Sequence, residues 1–505
     1  MLEHFQHPVP SDDKYKFVGK QEFPFKTGNS FLGGEKKFFI GCRKQWGKYA
    51  FNTTPFIING KEFFTDAQIS VKKMLPSLEG EEWKGVRTAI SPTFTSGKIR
   101  RMMDYFNSVA KEWVASLTRK ANASADGSVS IAALKSVNQY TLDVIASAVF
   151  GFQAGTIKDP KSQFAKMASR VSDLTRWQLI KFVITIQFPK IVSMLKMKII
   201  DGEALAFFER ILDQGLKARM SGSTTKRNDF LQLLVEAKKG ELKAEGKDEL
   251  NSFEKEAQIQ GAETGEKKQW LTKQIMNMHQ DVQDKLRNEV SKIVKEDGSL
   301  DYDELNTLVY LDMVICEVIR KYPMAGRLDR KCTRDYKENE SGLSIPKDSI
   351  VIIPVNAIHN DPQYYDNPDK FDPEHFSPDK KAQRNTYAYL PFGSGPRNCI
   401  GMRFALTETK ASVAHLVNSF RIEPTKKTPI PMTGYYAGFA LHPPKGYICI
   451  FWVAKELKLD FIDLEAFVFF ERILDQGLKS RIGDTARRND FFNIWWMQKG
   501  GVEGN

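Results

Sequence analysis

Nowhere does this chain of 505 residues hold the run of about eighteen apolar residues that a membrane-crossing helix needs. Its first twenty positions, Met1 to Lys20, are polar, with proline and several charges, and do not read as a secretory leader, so none is expected. The chain is therefore expected not to span a membrane. Cysteine is scarce: Cys42, Cys316, Cys332, Cys399 and Cys449 are scattered, odd in number and without a C-x-x-C pair. That excludes a disulfide scaffold and favours a reducing compartment. Charge of one sign is not concentrated either. The net charge of +12 comes from lysines and arginines spread along the chain, which fits an acidic protein partner or an anionic lipid surface and gives no nucleic-acid footprint.

What the chain does have is one informative loop, Phe392-Gly393-Ser394-Gly395-Pro396-Arg397-Asn398-Cys399-Ile400-Gly401. After it, Met402, Leu406, Val413, Leu416, Val417 and Phe420 recur at helical spacing, which puts Cys399 just before a helix N-terminus. Free N–H groups and the helix dipole there favour a thiolate. Gly395 and Gly401 let the backbone turn sharply and approach a flat cofactor, and Arg397 offers a forked cation for a carboxylate. A lone cysteine before a helix is otherwise a buried, inert thiol; the surrounding aromatic, glycines and arginine point instead to an anionic porphyrin ligated by sulfur.

The pattern Phe392-x-x-Gly395-x-Arg397-x-Cys399-x-Gly401 resembles the haem-binding loop of the cytochrome P450 family of haem-thiolate monooxygenases, microsomal-type members in particular. Further segments carry the resemblance. Trp83 and Arg87, four apart after the acidic stretch Glu79 to Glu82, look like the family's pair that reaches a haem propionate, and Arg330 falls where some members place another such arginine. Residues 305–320 read as one amphipathic helix with Leu305, Leu308, Val309, Ile315 and Ile319 on one side, carrying Glu317 and Arg320 three apart. Tyr322-Pro323 ends it, and Ser349 to Pro354 reads as a strand. Phe371 to Phe376 resembles the segment that locks the Glu-x-x-Arg pair beneath the loop, with His375 where the family often has arginine, making a neutral imidazole the third member.

The resemblance implies a mainly α protein with a small β region, of the cytochrome P450 fold but incomplete, over about residues 30–454. It implies haem b (iron protoporphyrin IX) held by Phe392, Gly395, Arg397, Cys399, Gly401, Trp83, Arg87 and Arg330, with Cys399 on the metal. Its other implications are a flavin-containing NADPH-dependent reductase, O2, an apolar small-molecule substrate and a possible membrane surface. By resemblance the site of action is the cytosolic face of the endoplasmic reticulum membrane; without an anchor helix, the cytoplasm is the alternative.

Two departures stand out. Asp281 to Val294 reads as an amphipathic helix, but before it, where the family has a long apolar helix with an acid and a threonine, Glu249 to Gln274 is dominated by Glu, Lys and Gln. Gly261-Ala262-Glu263-Thr264 holds an acid and a hydroxyl, yet its charged flanks read as solvated linker, so Glu263 and Thr264 are weak candidates and no catalytic residue is assigned. The central helix is expected to be missing or degenerate near 249–281. The second departure is a repeat: Phe207 to Lys217 recurs unchanged as Phe469 to Lys479, and Arg227 to Phe230 as Arg488 to Phe491. Residues 1–454 are expected to form the haem domain and 455–505 an appended helical copy of 203–240. A haem-binding but catalytically incompetent relative, or an aberrant gene product, is the alternative reading. A third is a cofactor-free protein that binds membrane surfaces through its positive charge and its aromatic tail.

Overall fold

The computed structural model describes residues 75–172, 201–222, 226–239, 279–337, 344–425, 428 and 448–453, with short strand segments at 51–52, 57–58, 61–62, 435–437 and 440–442. The Glu249 to Gln274 stretch with Glu263 and Thr264, and the second repeat copy after residue 454, lie outside the described residues. The first repeat copy lies within them, with Phe207 to Lys217 on one helix and Arg227 to Asp229 in the bend that leads to the next, which starts at Phe230.

The principal helices are α1 (Gly80–Ile90), α2 (Met103–Asn122), α3 (Ala133–Ile145), α4 (Gly202–Met220), α5 (Phe230–Lys238), α6 (Gln280–Val290), α7 (Val309–Lys321) and α8 (Met402–Ser419). The strands that matter here are β1 (Ser128–Ala132), β2 (Leu328–Cys332), β3 (Ile350–Ile353), β4 (Phe420–Pro424) and β5 (Ile448–Val453). β5 lies between β1 and β4 and is antiparallel to both. β2 pairs antiparallel with β3, and residues 51–52 add to its other edge. This is a mainly α fold with a small β region, as expected.

Helices α2, α3, α6, α7 and α8 share one apolar core. Within it Trp113 stacks on Tyr140 at 4.8 Å between centroids, and its indole N–H donates to the Ser136 hydroxyl at 2.8 Å. Helix α8 is more deeply placed than its apolar stripe predicts, since its polar face is buried too. Lys410 is buried with its ammonium 2.6 Å from Asp312 and 2.8 Å from Asn306 Oδ1. His415 Nε2 donates to Asn107 Oδ1 at 3.0 Å. Polar residues survive at these positions because each meets a partner.

Helix α6 buries Val282, Leu286 and Val290, three of the positions its periodicity marks. Its polar residues then finish other elements. Gln283 both donates to Ile422 O (2.7 Å) and accepts from Ile422 N (3.0 Å), so a side-chain amide covers the free edge of β4. Arg287 caps the end of α8 through Val417 O (2.9 Å) and Phe420 O (3.1 Å).

The single helix expected over 305–320 is instead two. Tyr302–Thr307 is capped by Asp301, whose carboxylate accepts from Asp303 N and Glu304 N. Leu308 is extended, and α7 begins anew because the Glu289 carboxylate of α6 accepts from Tyr310 N and Leu311 N, each at 2.9 Å. Val309, placed on the apolar side by periodicity, is exposed after this break. The end at Tyr322 agrees with the Pro323 signal.

Glu317 and Arg320 do not form a surface pair: both side chains are completely buried. The guanidinium meets the carboxylate twice, at 2.7 and 2.8 Å, and donates to the carbonyls of His359 (2.8 Å), Pro368 (2.9 Å) and Lys370 (3.2 Å). The 3-10 turn Pro373–Phe376 packs on α7, with Asp372 N donating to Glu317 at 2.8 Å. His359, whose carbonyl serves Arg320, accepts from Leu390 N through Nε2 at 2.7 Å. Tyr389 adds a bond from its hydroxyl to Cys316 O at 3.0 Å. Residues 389 and 390, which lead into the cysteine loop, are thus fastened to α7 and to the segment beneath it.

Two outcomes follow from this packing. Arg320→Ala leaves the Glu317 carboxylate buried without its cation and is expected to lower the unfolding free energy by about 3–5 kcal/mol, read from the urea midpoint. Burial, aided by the nearby Arg320 charge, pushes the His359 imidazole down to about 3. Unfolded histidine titrates near 6.5, so on acidification the unfolded chain takes up a proton that the folded one refuses until about pH 3. Stability is therefore lost as pH falls below about 6.5. His359→Gln flattens this acid limb in pH-dependent denaturation, and His415, which burial pushes to about 4, contributes in the same direction.

Candidate functional site

The loop before α8 owes its shape to two glycines. Gly393 and Gly395 have φ of 71° and 83°, a region that residues with a Cβ rarely enter. Asn398 N closes the turn on Gly395 O at 2.9 Å, and Phe392 is buried in the core as the loop's anchor. Gly401 behaves differently from expectation. It is the N-cap of α8 with an ordinary φ of −87°, and a methyl group built on it would meet Cys399 Sγ and the Phe94 ring at 3.8 Å each, a normal contact. Its part is played by its backbone: Gly401 N donates to Cys399 Sγ at 3.1 Å. Cys399 is half-buried, at the start of α8 as its position in the sequence predicts.

Arginines gather around this sulfur. Arg87 on α1 donates to the carbonyl and to the side-chain oxygen of Asn398, both at 2.5 Å, which ties α1 to the residue before the cysteine. Burial lowers the Arg87 guanidinium below its usual range, and the charge of the Cys399 sulfur partly opposes this. Arg397 lies over the Trp83 ring, 4.2 Å from its centroid, and donates to Leu78 O at 2.7 Å. Trp83 and Arg87 thus both act from α1, but the cation stacked on Trp83 belongs to the loop. Arg330, on β2, donates to the Asp329 carbonyl at 2.9 Å. Its charge reaches Arg397: burial, then the Arg330 and Arg87 charges, push the Arg397 guanidinium down to about 10, against the pull of Glu79.

Arg87, which feels the Cys399 sulfur, and Arg330 both press on Arg397, and such a group of cations favours an anion. A bound dianion among Arg87, Arg330 and Arg397 would offset the repulsion that lowers Arg397. Among the described residues no group of three or more His, Cys, Asp or Glu could hold a metal ion. A metal at Cys399 would therefore need most of its ligands from the group that carries it in. An iron porphyrin does this, with a soft sulfur ligand on the metal and two propionates for the guanidiniums. The residues present fit that group.

Sequence reasoning named residues that the structure brings into contact: Trp83 with Arg397, Arg87 with the residue before Cys399, and Glu317 with Arg320 and His375. It missed Asn398, Gly393, Leu78 and Phe94. Gly393 was legible as the other half of a Gly-x-Gly turn; the remaining three carry no local signal. Glu263 and Thr264 lie outside the described residues.

A sequence model of the Cytochrome P450 family matches residues 29–450. The chain is 33% identical to Cytochrome P450 6a2 of Drosophila melanogaster over 432 residues, 83% of this chain and 84% of that protein. It is 33% identical to Cytochrome P450 3A13 of Mus musculus, covering 72% of each, and 35% identical to Probable cytochrome P450 6a20 of Drosophila melanogaster over 71% of this chain and 72% of that protein. Among the described residues no helix is long and apolar enough to cross a membrane. A thiol on a glycine turn, cations for a dianion, a helical frame with small sheets and similarity along most of the length agree, and the chain belongs to the cytochrome P450 family of haem-iron monooxygenases, oxidoreductases that work with a redox partner, O2 and a substrate.

Proposed function

We propose that the protein is a haem-thiolate enzyme that inserts one oxygen atom into an apolar organic substrate, with electrons from a flavin-containing, NADPH-dependent reductase. The observation that carries this reading is the Cys399 sulfur, held by Gly401 N and within the field of Arg87, itself one of a group of cations with Arg397 and Arg330. Haem b, when bound, supplies the oxidative iron chemistry. Cys399 would be its ligand, and the Gly401 N–H orients the sulfur and draws off part of its charge, a direct control on how strongly it donates to a metal.

Arg87, Arg330 and Arg397 would take the propionates, with Trp83 fixing the plane of Arg397. Gly395 allows the turn that presents the sulfur, and Phe392 anchors the loop in the core. Glu317, Arg320 and His375 hold the layer below. We assign no proton-delivering residue. We further propose that residues 1–454 form the haem domain and 455–505 an appended copy of 203–240. The site of action we propose is the cytosolic face of the endoplasmic reticulum membrane, approached through surface contacts.

Purified, reduced protein treated with carbon monoxide is expected to give the red-shifted Soret band of a thiolate opposite the gas, and Cys399→Ala is expected to lose it. A histidine-type band, or no retained haem, would overturn the reading; a thiolate band without turnover would favour the catalytically incompetent relative. Arg397→Ala is expected to weaken haem retention by roughly 10- to 100-fold, the worth of one charge-assisted contact, in a haem-transfer assay. Arg397→Lys should lose less, keeping the charge but not the fork or the full stack on Trp83.

A further inference from the structure

The imidazole of His375 is buried, and both of its ring nitrogens face oxygen. Nδ1 lies 3.2 Å from Glu317 Oε1 and Nε2 lies 2.6 Å from the backbone carbonyl of Asp366. A carbonyl oxygen only accepts, so Nε2 must carry hydrogen. Glu317 meets the buried Arg320 guanidinium through both of its oxygens, at 2.7 and 2.8 Å, and Oε1 also accepts from Asp372 N at 2.8 Å, an arrangement of donors around the group that only the ionised form matches. It is a carboxylate oxygen, and Nδ1 must carry hydrogen too. Either neutral tautomer would set a lone pair against an oxygen inside the core, where such a mismatch is costly.

We infer that His375 is held as an imidazolium, a second cation on Glu317 beside Arg320, and that it is a positioning residue for residues 366–376 because of that charge. The neutral imidazole expected from the sequence is thus replaced by a charged one. The inference rests on α7 and the turn beneath the loop and does not depend on the cofactor.

The surrounding charges are compatible with it. From α7 the ring faces Glu317 and Arg320; from its own segment come Asp372, paired with Lys370 at 3.3 Å, and exposed Glu374. Asp366 turns its carboxylate outward to Lys380. Beyond the Pro378–Gln383 helix, Arg384 donates to His375 O and spreads over the Tyr365 and Phe376 rings, 4.5 and 4.6 Å from their centroids, so the rings absorb part of that cation. Glu317, Asp372 and Glu374 thus face Arg320, Lys370, Arg384 and the His375 ring. Asp372 is held below the usual carboxylate range although burial opposes it, by the Glu374 N–H, Lys370 and the His375 charge.

The test reads the ring nitrogens directly. In the full chain labelled with 15N-histidine, at about pH 7.5 where an ordinary histidine is mostly neutral, both His375 nitrogens are expected to resonate as protonated. The signals are assigned by their loss in His375→Arg or, should that variant not fold, in His375→Gln. A bare, unprotonated nitrogen at either position overturns the inference.

Discussion

Every N–H direction that the Arg320 guanidinium uses inside this protein is spoken for, and the frame around the cysteine loop depends on that saturation. Taking a guanidinium and a carboxylate completely out of water costs several kcal/mol per ion, and their mutual attraction offsets this only when the remaining donors are satisfied. Here they are satisfied by carbonyls at 359, 368 and 370, a stretch of irregular chain with no ladder of its own. The planar fork suits that task, because three carbonyls in fixed directions are more than a flexible ammonium would hold in place. Loop 359–376 is therefore organised from inside by a side chain rather than by secondary structure. Through His359 and Tyr389 the same order is passed on to the residues that enter the Cys399 turn.

Above this layer the electrostatics run in the opposite sense. Below the loop, positive and negative groups are matched within the protein; beside Cys399, Arg87, Arg330 and Arg397 press on one another. A fold that buries like charges together is less stable for it unless something of opposite sign arrives. Whatever dianion binds there lowers the free energy of the folded state only, and so couples occupancy to stability by mass action. The matched cluster makes the scaffold, and the unmatched one makes the site.

Much of this was legible in the sequence where a residue's meaning is local. Helical spacing found α6 and α8, because apolar periodicity directly reports which face is buried. The loop could be read because Gly395 and Cys399 are each required by a nearby geometry. Reading failed where the partner is distant. The break at Leu308 comes from a carboxylate on another helix, and nothing in 302–321 announces it. Asn398 and His359 are single polar residues whose importance is set by Arg87 and Leu390. Gly401 was noticed for its missing Cβ, while the contact of its N–H with the sulfur carries no signal in the sequence. The polar face of α8 looked solvated and is buried, since partners from several elements converge on it.

The Glu289 carboxylate has a bearing on how the chain assembles. By capping the first N–H groups of α7 from α6, it makes two helices complete one another: α6 supplies the cap, and the start of α7 holds the end of α6 in place. Helix starts fray unless their free donors are met, so the two should open together rather than singly. Residues 280–321 then open and close as one unit, fastened to α8 and β4 through Arg287 and Gln283. The order of the α7 layer under Cys399 thus depends on α6 staying folded.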